Sequence, residues 1–198
     1  MAIVVLALLV LALGGLLGLR LLGLDPQWLA RTRHALGEAR YRTRGVLAEF
    51  IVAAASGVAT DVVREGWANW DLTTRDAVRI EVKSAAYLQA WSQKELSKIS
   101  FSTRETKAWD ADSGYADAAR RQADVYVFAL LAHADKTTVN PLDLDQWTFY
   151  VLPTGQLNDL TPSQRTISLR TLQQLALPTT FGGLREAAQA AAQPRPSP

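Results

Sequence analysis

The stretch that most constrains the fold is residues 124–131, Asp-Val-Tyr-Val-Phe-Ala-Leu-Leu. One aspartate is followed by an unbroken apolar and aromatic run rich in β-formers. Such a run reads as a strand buried on both faces, the position of a central strand in a layered α/β sheet. A second strand, residues 78–84, has a different pattern. Val78, Ile80 and Val82 alternate with Arg79, Glu81 and Lys83. Alternation of that kind puts the apolar set on one face and the charged set on the other. Upstream, Trp70-Asp71-Leu72-Thr73-Thr74 also reads as extended, and 73–77 is polar enough to turn the chain. Paired as a hairpin, the two segments bring Asp71 near Glu81 and Lys83.

Other elements follow from the same signals. Residues 98–102 and 146–152 alternate and read as strands, the latter stopping at Pro153 before a turn at Thr154-Gly155. Residues 103–114 and 137–145 read as loops, and 115–122 as a short helix carrying Arg120 and Arg121. A helix is expected from Ser163 to Pro178, where proline ends it. The Ala-, Gln- and Pro-rich stretch 181–198 reads as a disordered tail. The helix expected over 44–56 has a stripe of Leu47, Phe50, Ile51 and Ala54 and is apolar nearly all round, which implies burial. Glu49 is its one carboxylate, and a lone buried carboxylate needs a partner or a cation.

The N-terminal part differs in character. Residues 2–19 carry no charged or polar side chain, about the minimum for a bilayer span. Arg20, Arg31, Arg33, Arg40, Arg42 and Arg44 follow. A membrane anchor would therefore leave the remainder in the cytoplasm. The alternatives are an apolar helix packed on its own domain, or a misassigned start. Asp25-Pro26 reads as the start of a further helix, with Asp as its cap. The organisation expected is an apolar helix at 1–20, an α/β domain at 21–180 and the tail.

Composition narrows the chemistry. The chain has 198 residues, 48% of them hydrophobic and 20% charged, with a net charge of +2. That balance is too small to argue nucleic-acid binding by itself. The absence of cysteine excludes disulfides, thiolate metal sites and thiol nucleophiles. The two histidines, His34 and His133, have no ligand spacing. There is no Gly-rich phosphate loop and no Gly-x-Ser-x-Gly elbow. The chemistry of interest arises if Glu49, Asp71 and Glu81 converge beside Lys83. Converging carboxylates repel unless a cation lies between them, and oxygen-only donors select Mg²⁺ or Mn²⁺ over zinc. A lysine on the same strand face can hold an attacking water and stabilise charge on a phosphate. That set suits phosphodiester hydrolysis. The bland alternative for Glu81 and Lys83 is a surface ion pair.

With these residues, Asp71 and the triplet Glu81-Val82-Lys83 preceded by Glu49 on a helix, residues 42–152 resemble the PD-(D/E)xK nuclease superfamily. Trp70 stands where that motif's proline would be. The resemblance implies a restriction-endonuclease-like core: α/β, a central mixed β-sheet flanked by helices, here preceded by the apolar N-terminal helix. It implies Asp71 and Glu81 as ligands of Mg²⁺ (or Mn²⁺), with the Val82 carbonyl completing the site, Glu49 supporting it and Lys83 positioning water. Ser84 and Gln89 are lesser candidates. The activity implied is endonucleolytic hydrolysis of nucleic acid, DNA before RNA, by a chain that could act as a homodimer. The alternative is a non-catalytic nuclease-like module, membrane-anchored through residues 2–19, that binds nucleic acid or a protein partner.

Overall fold

The computed structural model describes residues 44–58, 69–89, 91–110, 114–160 and 164–193. In chain order they form α1 (Arg44–Ser56), β1 (Leu72–Thr73), β2 (Arg79–Ala86), β3 (Ser100–Ser102), β4 (Thr106–Asp110), β5 (Gly114–Arg120), β6 (Val125–Leu131), β7 (Trp147–Pro153), α2 (Thr154–Leu160), β8 (Thr166–Ser168), α3 (Leu169–Leu175) and α4 (Leu184–Ala192). The expectations for residues 1–20 and for a helix from Pro26 lie outside the described residues. Among the described residues, no helix is long and apolar enough to cross a membrane.

Four strands make the main sheet, in the order β1-β2-β6-β7. The sheet is mixed: β2 runs parallel to β6, while β1 and β7 run antiparallel to their neighbours. All seven residues of β6 are buried, as the apolar run requires. Helices flank the sheet, so the fold is mixed α/β. One face carries Ile80, Val82, Ala86, Val127, Ala129 and Phe149, under Ala48, Ile51 and Val52 of α1 and Leu184 and Ala188 of α4. The other carries Ala85, Tyr126, Phe128, Leu130, Tyr150 and Leu152, packed with Phe101, Leu157, Ile167 and Leu172.

Several local expectations are corrected. Residues 115–122 are not helical: β5 occupies Gly114–Arg120 and pairs with β4, inside the segment 103–114 read as a loop. Trp109 and Tyr115 face each other across this ribbon. Between β2 and β6, the described residues therefore carry strands where a helix was expected. Thr154-Gly155 does not turn but opens α2, anchored by the buried Leu157. The helix expected from Ser163 starts at Leu169, capped by Ser168 Oγ, which accepts from Thr171 N at 3.1 Å. Residues 184–192 of the supposed tail are α4, held by burial of Leu184 and Ala188. On α1 the buried side is Ala48, Ile51, Val52 and Ala53, not the stripe containing Phe50, which is 42% exposed. Small alanines let that helix approach the sheet closely.

The hairpin that sets the β1–β2 register turns at residues 74–77. Thr74 closes it: its N–H donates to Val78 O at 2.9 Å, its carbonyl accepts from Ala77 N at 3.0 Å, and its Oγ1 accepts from Val78 N at 3.1 Å. Ala77 pays for this closure with φ +61°, a left-handed conformation that favours glycine. Ala77→Gly is expected to raise the unfolding free energy by about 0.5–1 kcal/mol in urea denaturation. An unchanged or lowered stability would show that the turn is not strained.

Candidate active site

Register decides which side chains share a patch. Leu72 pairs with Ile80, and Asp71 N donates to Ile80 O at 3.1 Å. One step further along, Asp71 lies across from Glu81. On the other side Glu81 pairs with Tyr126, and Lys83 with Phe128. Alternation along β2 places Glu81 and Lys83 opposite to Ile80 and Val82, on the face that carries Tyr126 and Phe128. A row across three strands results: Asp71, Glu81, Tyr126.

Asp71 is fixed by more than register. Its Oδ2 accepts from the Val82 amide at 2.8 Å. A carboxylate on a backbone N–H is a charge-assisted bond, so Asp71 stitches the beginning of β1 to the middle of β2. Glu81 Oε1 pairs with Lys83 Nζ. These two side chains keep only 19% and 29% of their exposure, Glu81 and Lys83 respectively. That is half-buried, not the solvated surface pair of the bland reading.

Next to the row stands a second ionic group. Arg79 donates from its backbone N (2.9 Å) and its Nε (3.0 Å) to Asp124 Oδ2, and Nη2 pairs with Oδ1. The Arg79 guanidinium, acting mainly through the side-chain hydrogen bonds, holds the Asp124 carboxyl below the usual carboxylate range. Arg79 also lies over the Trp70 ring, 5.2 Å from its centroid. This group bridges β2 to the entry of β6 and borders the row.

The remaining candidates fall elsewhere. Glu49 sits half-buried on α1, and α1 covers the opposite face of the sheet. Among the described residues, no three His, Asp or Glu side chains are gathered closely enough to hold a metal ion. Ser84 alternates onto the α1 face, away from Lys83. Gln89 lies past the end of β2, where Nε2 donates to Ala86 O (3.0 Å) and Ser97 Oγ (3.1 Å) and Oε1 accepts from Arg44 Nη1 (3.3 Å). Its bonds close the loop that follows the strand. Val82 contributes its amide to Asp71 and its side chain to the core.

Two buried polar side chains near the row are not marked by the sequence pattern. Tyr126 was counted as one more apolar residue of a buried run, although its hydroxyl was the single polar atom in it. Arg121, expected on a short helix, is buried and donates to Thr103 O (2.9 Å), Asn158 Oδ1 (2.7 Å) and Gln164 O (3.1 Å). Nothing local in the sequence distinguishes it from Arg120.

A scan against protein-family models finds no match to this chain, and a search of curated proteins finds none either.

The Asp71–Val82 bond has a consequence independent of any ligand. Asp71→Ala removes the acceptor and is expected to lower stability by about 1.5–3 kcal/mol, whereas Asp71→Asn keeps an oxygen for the amide and loses less. Urea denaturation of the two variants beside the parent checks this; equal losses would show that the amide bond does not carry the effect.

Proposed function

We propose that this protein is a metal-dependent nuclease that hydrolyses phosphodiester bonds, DNA being the expected substrate. The observation that supports the reading best is the half-buried Glu81–Lys83 pair on β2, with the Asp71 carboxylate tied to the amide of Val82 between them. A parallel β2–β6 pair beside an antiparallel hairpin agrees with the restriction-endonuclease-like core suggested by the Glu81-Val82-Lys83 triplet. The strands between β2 and β6 depart from it.

The donor chemistry fits a hard divalent cation. Both carboxylates offer oxygen, the chain has no cysteine, and among the described residues no histidine gathers with them. Asp71 and Glu81 would hold Mg²⁺ or Mn²⁺, which supplies Lewis acidity toward a phosphodiester when bound. The rest is the work of the chain. The Val82 amide fixes the Asp71 carboxylate. Lys83, once released from Glu81, brings a cation to the phosphate and can hold the attacking water by donating to it. The hydrophobic face beneath the row lowers the local dielectric and strengthens each of these interactions.

A second reading has its own support. The Lys83 ammonium is engaged by Glu81, and among the described residues no three acidic side chains gather to hold a metal ion. On that reading the patch is a structural ion pair in a non-catalytic module that binds nucleic acid or a protein.

The separating experiment incubates the full chain with single-stranded, duplex and branched DNA in Mg²⁺ or Mn²⁺, beside Glu81→Ala and Lys83→Ala. The nuclease reading expects cleavage by the parent and at least a 100-fold loss in each variant, on the order of removing one transition-state donor. Cleavage by a folded Lys83→Ala at the parental rate sinks the mechanism. No cleavage by any of the three favours the binding module.

A further inference from the structure

The chain between β2 and β3 forms a closed loop that the proposed chemistry does not use. Its feet are set in the core, where Leu88 and Ile99 are buried. Ser97 N donates to Tyr87 O at 2.9 Å and shuts the base. The inside is filled by the loop's own polar side chains. Gln93 Oε1 accepts from Gln89 N at 2.6 Å, and Gln93 Nε2 donates to Ser97 Oγ at 3.0 Å. Gln89 Nε2 donates to the same hydroxyl at 3.1 Å. A compact loop with adjacent ends, packed by its own side chains, holds its outer residues in place.

Those outer residues are of one kind. Trp91 is 65% exposed and Leu96 49%. Lys94, Glu95 and Lys98 are exposed beside them, with Glu95 offsetting one of the two lysines. The tied backbone presents the two apolar side chains at little further entropic cost. A tryptophan and a leucine among lysines suit a bilayer surface. The indole sits at headgroup level, its ring in an apolar setting and its N–H wet. The ammonium groups meet anionic headgroups.

The sequence points to a lipid surface independently. Residues 2–19 carry no charged or polar side chain, and Arg20, Arg31, Arg33, Arg40 and Arg42 follow. The chain then opens α1 at Arg44, whose Nη1 donates to Gln89 Oε1 at the foot of this loop, 3.3 Å away. The loop leaves the end of β2 at Ala86, five residues or about 17 Å along the strand from Glu81. It is therefore separate from the charged row.

We propose that the loop bearing Trp91 and Leu96 is a lipid contact. Both side chains enter the headgroup layer of an anionic bilayer, with Lys94 and Lys98 on its phosphates, when residues 2–19 hold the chain at that membrane. The assignment does not depend on the nuclease reading, and its test does not involve DNA.

The chain has no cysteine, so a single one can be introduced and labelled. Ser92→Cys, at an exposed position next to Trp91, carries a polarity-sensitive fluorophore. The full chain is reconstituted in vesicles of mixed phosphatidylglycerol and phosphatidylcholine, with a headgroup-level spin-labelled lipid as quencher. Asp159→Cys is the reference: it is exposed on α2, which follows β7 at the opposite end of the sheet. The expected result is quenching at position 92 and none at 159. Lys94→Gln is expected to lower the ratio of docked to free loop about fivefold, the worth of one lysine at an anionic surface. Trp91→Ser with Leu96→Ser abolishes the quenching and leaves the melting temperature unchanged, because both side chains are exposed. Equal quenching at 92 and 159 overturns the proposal, as does quenching at 92 that survives the double serine variant. Shielding that rises with protein density in the vesicles marks contact with a second copy and overturns it too.

Discussion

The parallel pairing of β2 with β6 is the constraint on which the remaining structure depends. It runs from Ile80↔Val125 to Ala86↔Leu131 without interruption. Because the side-chain period of a strand is two, this register assigns every residue of both strands to a face. A slip by one would bury Glu81 and Lys83 under α1 and turn Ile80 and Val82 toward the charged row. The cost of burying two charges against Ala48, Ile51 and Val52 excludes that arrangement.

Given this register, the charged patch belongs where it is. β2 has β6 on one side and the two-residue β1 on the other, so its charged positions near the hairpin are covered on one side only. Tyr126, Phe128 and Phe101 pack against one another on the face that carries Glu81 and Lys83. Two ties keep the geometry from relaxing. Asp71 grips the Val82 amide, and Arg79 grips Asp124 across to the start of β6. A catalytic constellation needs its groups held within a fraction of an ångström, and strands tied at both ends provide this better than loops.

What was legible in the sequence was what period and burial encode together. β6 showed as a continuous apolar run, β2 and β7 as alternation, and α1 with the bounds Arg44–Ser56. Asp71 beside Glu81 followed from a hairpin inferred from polar turn residues. The misses have physical causes. β5, Gly-Tyr-Ala-Asp-Ala-Ala-Arg, exposes nearly every side chain, so no alternation marks it, and its alanines favour a helical reading. Its strand state comes from pairing with β4, which is not a local property. α4 has only Leu184 and Ala188 buried, too weak a pattern to separate from a disordered tail until the sheet face it covers is known. Glu49 was a candidate because it is the one carboxylate of an apolar helix, and α1 packs on the sheet face opposite to Glu81 and Lys83. The Arg79–Asp124 pair spans 45 positions and no spacing rule reaches that far.

The most direct test of a site centred on Asp71 and Glu81 is to map where Mn²⁺ binds. Amide spectra of the full chain recorded with substoichiometric Mn²⁺ report proximity, since the paramagnetic ion broadens nearby resonances. Broadening centred on Asp71, Glu81, Val82 and Tyr126, and lost in Glu81→Ala, is the predicted result. Broadening spread over exposed carboxylates such as Asp135 and Asp145, with the β2 amides unaffected, would contradict it.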